Sequence, residues 1–174
     1  MDIKNAVELG KIERVQILGL DQDSHNIGWA IGKGPDYVTS GLVTFKGNRE
    51  ERLEAIYRWV VSVLIHWRPA FYVLEAPMGD HENIDTHKLL GEVMGICKAA
   101  GYETRNTPMV ITPYWIKATG YGKENRAETA LLARKPSLSG HEADAIGAWL
   151  AGWYRHRNLE IEKRVVDSGL TERS

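Results

Sequence analysis

Two carboxylates stand at the ends of two apolar runs. The largely apolar stretch Val15–Leu20 is followed by Asp21, and the continuous apolar run Phe71–Leu74, bounded by Pro69 and Pro77, is followed by Glu75. The second run fits a strand buried on both faces. If the two strands are parallel neighbours, the carboxylates lie side by side, where burial and mutual repulsion are costly without a cation. His141 and Asp144, three apart at the start of a later helical segment, project from one face within a single turn. Hard Mg²⁺ prefers carboxylate oxygens, and two such ions about 4 Å apart can activate a water and stabilise a leaving oxygen. Asp21, Glu75, His141 and Asp144 are therefore the candidate catalytic and metal-binding residues. Phosphodiester hydrolysis with two Mg²⁺ per site is the chemistry they favour, with Mn²⁺ as the alternative ion.

Each residue also has a plainer reading. A carboxylate at a strand end is more often solvated or a turn cap, but two ending two apolar strands shift the balance. Ser139 and Glu142 have capping-box spacing, which leaves Glu142 outside the metal set. Asp144 in a first helical turn is favoured by the helix dipole alone, yet it lies between Ala143 and Ala145 on a segment whose small residues, Gly147 and Ala148 included, suggest close packing on a sheet. Asp23 points the same way as Asp21 in a continuing strand and is expected to cap the turn at Ser24–Asn26.

The elements that must position these groups follow from periodicity. Ile27–Ile31 and Val38–Phe45 read as strands, with Gly32, Gly34 and Pro35 punctuating the hairpin between them. Leu53, Ile56, Val60, Leu64 and Trp67 recur at helical spacing within Glu50–Trp67, and Pro69 follows. Asp85–Ala100 reads as a helix closed by Gly101, Tyr102–Asn106 as a short final strand, and Asn125–Arg134 and Ser139–His156 as two further helices. Three strands joined by tight turns, then alternating helix and strand, predict an α/β fold, a mixed five-stranded sheet flanked by helices. One nuclease domain over residues 15–158 is expected, with charged extensions at 1–14 and 159–174.

Composition narrows the class. A chain of 174 residues, 43% hydrophobic, suits one core. The single cysteine, Cys97, supplies neither a disulfide framework nor a zinc cluster. Residues 1–14 mix acids and bases, and no apolar stretch is long enough to span a bilayer. A cytoplasmic protein is expected, or one of a host's cytoplasm if the source is viral. The formal net charge of −1 conceals an asymmetry: Glu75–Glu92 holds five acids against Lys88, whereas Lys98–Lys135 holds seven bases against three acids. An acidic cluster beside a basic strip suits a metal site next to a phosphate-binding surface.

The motifs Ile17-Leu-Gly-Leu-Asp21-Gln-Asp-Ser24 with Gly28, Val73-Leu-Glu75, and His141-Glu-Ala-Asp144-Ala-Ile-Gly-Ala-Trp149 together resemble the RuvC-type Holliday junction resolvases of the ribonuclease H-like superfamily. The resemblance runs from about Val15 to His156. Between these motifs, Lys88–Cys97 is similar to the long helix after the family's catalytic glutamate, and Ile116-Lys117 with Gly120-Tyr-Gly122 through Arg126 to its basic DNA-contacting segment. The resemblance implies that Asp21, Glu75, His141 and Asp144 bind catalytic metal and that Lys117 and Arg126 contact backbone near the scissile phosphate. It also implies a homodimer making paired symmetric nicks in four-way DNA that leave ligatable ends. Gly91 and Gly95, four apart, would permit close helix approach. Two departures stand out: the family's aromatic residue after the glutamate is replaced by Ala76-Pro77-Met78-Gly79-Asp80-His81, putting Met78 or His81 at the junction, and Asp23 stands where the family usually has glycine.

Gly120, Gly122, Lys117, Lys123 and Arg126 make the expected DNA surface, with backbone amides ahead of a helix available to a phosphate. Tyr114, Trp115 and Tyr121 interleave with these bases as stacking platforms do, although Trp115 is expected in the core. Rival readings are a ribonuclease H-like nuclease for flaps, other branched DNA, RNA–DNA hybrids or precursor RNA, and a non-catalytic DNA-binding protein of the same fold. Sugar-kinase and actin-like phosphotransferases share the first-strand signature, but this chain is too short for their two halves.

Overall fold

Successive residues of the first strand divide between two cores: Ile17 packs on one side of the sheet, Leu18 and Leu20 on the other, as the period-two pleat requires. The computed structural model describes residues 12–77 and 84–167. Met78 and His81 lie outside the described residues. Strands β1 (Gln16–Gln22), β2 (Asn26–Lys33) and β3 (Asp36–Thr44) form an antiparallel meander, while β4 (Phe71–Glu75) and β5 (Thr107–Ile111) add in parallel, giving the order β3-β2-β1-β4-β5. The expected mixed five-stranded sheet is present.

Helix α1 (Arg49–Trp67) buries Ile56, Val60 and Leu64 on one face of the sheet, beside Val93, Cys97 and Ala100 of α2 (Ile84–Thr104). Its start is fixed by a reciprocal capping box: Asn48 Oδ1 accepts from the Glu51 amide at 3.0 Å and Glu51 Oε2 accepts from the Asn48 amide at 2.8 Å, a device contributing about 1 kcal/mol. On the opposite face lie α3 (Pro113–Ala118), α4 (Arg126–Ala133) and α5 (Gly140–Asp167). Helix α5 crosses β1 with its backbone almost touching the sheet, since a Cβ on Gly19 would meet the Ala145 carbonyl oxygen at 2.3 Å.

Three expectations are corrected. Gly101 does not close α2. It stays helical because its bare Cα lets the Tyr72 ring pack against it, where a Cβ would lie 2.1 Å from the phenol oxygen. The helix ends at Thr104, followed by Arg105 in the left-handed region at φ 57°. The last strand therefore falls at Thr107–Ile111 rather than Tyr102–Asn106, with Pro108 tolerated because β5 is an edge. Helix α5 continues well past His156, to Asp167, and the short α3 has no counterpart among the expected elements.

Candidate metal centre

Asp21 and Glu75 share one face of the sheet. Their strands are parallel with Leu20 opposite Leu74, so the next residue of each brings the two carboxylates side by side. The end of β4 is held by the Gln22 side-chain amide donating to the Glu75 carbonyl and by the Ala76 amide donating to the Ile111 carbonyl at 2.7 Å. Directly across the β1–β2 ladder from Asp21 is Gly28, where an added Cβ would lie 2.0 Å from the His141 carbonyl oxygen. The first turn of α5 rests in that gap, which brings Asp144 over the strand ends.

Asp21, Glu75 and Asp144 each present an oxygen, all within 4.8 Å of one another. His141 joins through Asp21, its Nδ1 lying 2.7 Å from Oδ2, while its Nε2 lies 3.6 Å from Asp23 Oδ2. Of the four candidate metal residues, three thus converge directly and the fourth is attached through Asp21. Asp23 accepts the His25 amide at 3.1 Å, the turn cap expected of it. A cleft of about 620 Å³ opens over the site and reaches Leu89 and Leu90 of α2.

Close carboxylates resist ionising together. Burial, then the charges of Asp21 and Asp144, push the Glu75 carboxyl up to about 8. The hydrogen bond to Asp21 raises the His141 imidazole above its ordinary value. Asp144, nearly buried, is held at both oxygens by Lys123: the Lys123 amide donates to Oδ1 at 2.7 Å and its ammonium lies 3.1 Å from Oδ2. An all-oxygen donor set that suppresses its own ionisation and has drawn a lysine ammonium to one member fits a hard divalent cation.

The basic segment departs from expectation in its backbone amides and in the placing of Trp115. Its amides are not free for a phosphate: Gly120 donates to the Lys117 carbonyl, Tyr121 to Thr119 Oγ1, Gly122 to Thr129 Oγ1 and Lys123 to Asp144. The glycines serve the backbone instead, at φ 77° and 112°, values side chains rarely adopt. The cationic side chains remain outward. Lys117 pairs with Glu124 at 2.8 Å, and both are more than half exposed. Arg126 is exposed at the start of α4, with its guanidinium close to Gly140. Trp115 is 38% exposed, not core, because Ile116 takes the buried position of that short helix. Tyr114 is exposed, and Tyr121 packs against the core.

Glu142 does only half of what its spacing suggested. Ser139 Oγ accepts the Glu142 amide at 3.1 Å, but the carboxylate turns away to accept from Ser40 Oγ at 2.6 Å and to pair with Lys135. That buried link ties α5 to β3 and to the chain just after α4. Neither it nor the grip of Lys123 on Asp144 has a local sequence signal.

No protein-family model and no curated protein matches the sequence. Solved structures do. Thermus thermophilus RuvC in complex with Holliday junction substrate superposes with a TM-score of 0.71 at 18% identity, covering 83% of this chain and 96% of that one. A second structure of T. thermophilus RuvC gives 0.68 at 19% identity, covering 82% and 96%. The yeast mitochondrial Holliday junction resolvase Ydc2 gives 0.56 at 7% identity, covering 92% and 88%. This chain has the ribonuclease H-like fold in the form it takes in RuvC.

Proposed function

We propose that this protein is a metal-dependent endonuclease that resolves four-way DNA junctions by paired symmetric nicks, a hydrolase of recombination and repair. The observation that carries the reading is the meeting of Asp21, Glu75 and Asp144 within 4.8 Å in an open cleft, with His141 attached through Asp21 and Lys123 lining the same cleft. The superposition on RuvC bound to a Holliday junction substrate supports the choice of substrate.

Asp21, Glu75, His141 and Asp144 would hold the ions, and the all-oxygen triad favours Mg²⁺, with Mn²⁺ as a substitute. Bound there, divalent ions supply an activated water and stabilise the leaving oxygen of the phosphodiester. The protein's own part is positional. The β1–β4 register sets the spacing of Asp21 and Glu75, and the seat of α5 on Gly28 sets that of Asp144. Lys117 and Arg126 hold the backbone of the strand to be cut through charge-assisted contacts. Glycines 120 and 122 place the segment that carries them.

Symmetric cutting calls for two sites, so the reading includes a homodimer. Gly91 and Gly95 of α2 offer an open helix face, where an added Cβ meets nothing within 4 Å. Among the described residues no helix is long and apolar enough to cross a membrane, consistent with action on DNA in the cytoplasm.

The deciding experiment is cleavage of matched synthetic substrates, a four-way junction, a flap, a plain duplex and an RNA–DNA hybrid, with Mg²⁺ and with chelator. Paired symmetric nicks confined to the junction and lost in chelator are expected. Preferential cutting of flaps or hybrids would move the substrate, and no cutting of any would leave a DNA-binding protein without catalysis.

A further inference from the structure

Lys123 has a place in this site that its exposure alone would not suggest. Its side chain is 61% exposed at the mouth of the cleft, yet its ammonium sits 3.1 Å from Oδ2 of Asp144, whose side chain is only 8% exposed. The same residue's amide holds Oδ1 at 2.7 Å. Both oxygens of a carboxylate belonging to the acidic triad are thus engaged by one lysine.

The two contacts differ in how easily they can be given up. The amide is locked by its surroundings: Thr129 Oγ1 accepts the Gly122 amide at 2.9 Å and donates to the Asn125 carbonyl at 2.7 Å, while Gly122 is held at φ 112° with no room for a side chain against Asp144. The ammonium ends a flexible four-carbon stem in solvent. A divalent ion held by Asp144 together with Asp21 and Glu75 would need an Asp144 oxygen and would repel a neighbouring ammonium. Oδ2 is the oxygen that can be freed.

Resting on the nuclease reading above, we propose that Lys123 is a further catalytic residue: it holds Asp144 before metal arrives, yields Oδ2 to the ion, and passes to a non-bridging oxygen of the phosphate to be cut. Metal and DNA then favour each other's binding through one side chain, a coupling of about 5- to 100-fold in affinity being ordinary for two linked sites. The amide stays on Oδ1 throughout and keeps the carboxylate aimed.

The test measures metal binding apart from activity. Mn²⁺ is titrated calorimetrically into the DNA-free wild-type protein and into Lys123→Met and Lys117→Met, the latter removing the same charge from a residue paired with Glu124 instead of the triad. Lys123→Met is expected to bind Mn²⁺ about fivefold or more tightly than wild type, with Lys117→Met within about twofold. Junction cleavage at saturating Mn²⁺ is expected to be slower in Lys123→Met by about tenfold or more, as for loss of a charge-stabilising donor. Tighter metal with slower cutting is a combination that neither a merely obstructing lysine nor a structural one produces. Unchanged or weaker Mn²⁺ binding, an equal gain in Lys117→Met, or undiminished cleavage in Lys123→Met would each overturn the role. A wild-type protein that cuts neither branched DNA nor an RNA–DNA hybrid would instead remove the nuclease reading, while the DNA-free titration would still report whether Lys123 blocks Asp144.

Discussion

Gly28 stands opposite Asp21 on neighbouring strands, and its missing side chain is the space in which the His141 carbonyl rests, 2.0 Å from where a Cβ would be. Gly19 and Gly32 seat α5 further along, under Ala145 and Trp149, and Gly28 seats the first turn, the end that carries Asp144 towards the two strand-end carboxylates. Gly28→Ala is expected to lower the unfolding free energy by about 1–3 kcal/mol, the usual cost of overpacking. It should also weaken Mn²⁺ binding by tenfold or more, since a one-ångström lift breaks the triad. Denaturant unfolding and metal titration check both. The contrasting change is Gly95→Ala, which meets nothing within 4 Å inside the chain and should leave the metal affinity alone, its effect on stability being read from the dimer as well as from the helix propensity of α2. Wild-type metal affinity in Gly28→Ala would mean that the seat of α5 is not what sets the site.

Metal-free stability should fall as the solution becomes alkaline. The Glu75 carboxyl, raised to about 8 by burial and by Asp21 and Asp144, binds its proton more tightly folded than unfolded. Its stabilising contribution is fully present below the ordinary value of 4.5 and is lost as pH rises through about 8. The limiting slope is about 1.4 kcal/mol per pH unit. In chelator, wild type should lose unfolding free energy between pH 5 and 8 relative to Glu75→Gln, as guanidinium melts across that window would show. Metal affinity should rise over the same window, because an ion must displace the proton. A parallel pH course for the two proteins would contradict the shift.

The five strands of a mixed sheet and the candidate set Asp21, Glu75 and Asp144 were legible because they rest on local pattern: apolar runs, turn residues, and a three-residue spacing on a helix. The parallel pairing of β1 with β4 entered only as a condition, which the register of Leu20 with Leu74 meets. What escaped was set by tertiary contact. Gly101 looks like a helix stop in sequence, and only the Tyr72 ring packed over it explains why it is not. Trp115 and Ile116 compete for one buried position, and periodicity over so short a helix cannot choose between them. The amides around Gly120 and Gly122 suit a phosphate until Thr129 and Asp144, distant in sequence, are seen to occupy them. Glu142 and Lys123 likewise take their roles from partners that no spacing rule connects, such as Ser40, 102 positions away.

The buried link beneath His141 should matter for folding more than for metal. Glu142→Ala removes the partner of Lys135 and of Ser40 Oγ, leaving a largely covered ammonium, and should lower the unfolding free energy by about 2–3 kcal/mol. Glu142→Gln keeps the hydroxyl's acceptor and should cost less. Both variants should bind Mn²⁺ within about threefold of wild type once folded. Loss of metal binding in a well-folded Glu142→Gln would place this carboxylate in the site itself.

Lys117 and Arg126 are expected to act as backbone contacts without sequence preference. Replacing either by alanine should weaken junction binding uniformly across sequences and reduce the slope of log affinity against log salt by about one. Fluorescence anisotropy over a salt series reads that slope. An unaltered slope in both variants would move the DNA path away from this segment.

Asp21 separates binding from chemistry most sharply. Its Oδ2 holds His141 at 2.7 Å, and its carboxylate is one of the three that converge, so Asp21→Asn removes the charge of one proposed ligand and loosens another at once. Cleavage should fall by about a thousandfold or more. Junction affinity in chelator should persist or rise slightly, because a negative charge has left the surface proposed to face the phosphates. Gel shifts and single-turnover cleavage on the same junction measure the two separately. Wild-type cleavage in Asp21→Asn would dissolve the proposed metal site, whereas loss of binding together with cleavage would mean that the carboxylate holds the DNA-binding surface in shape.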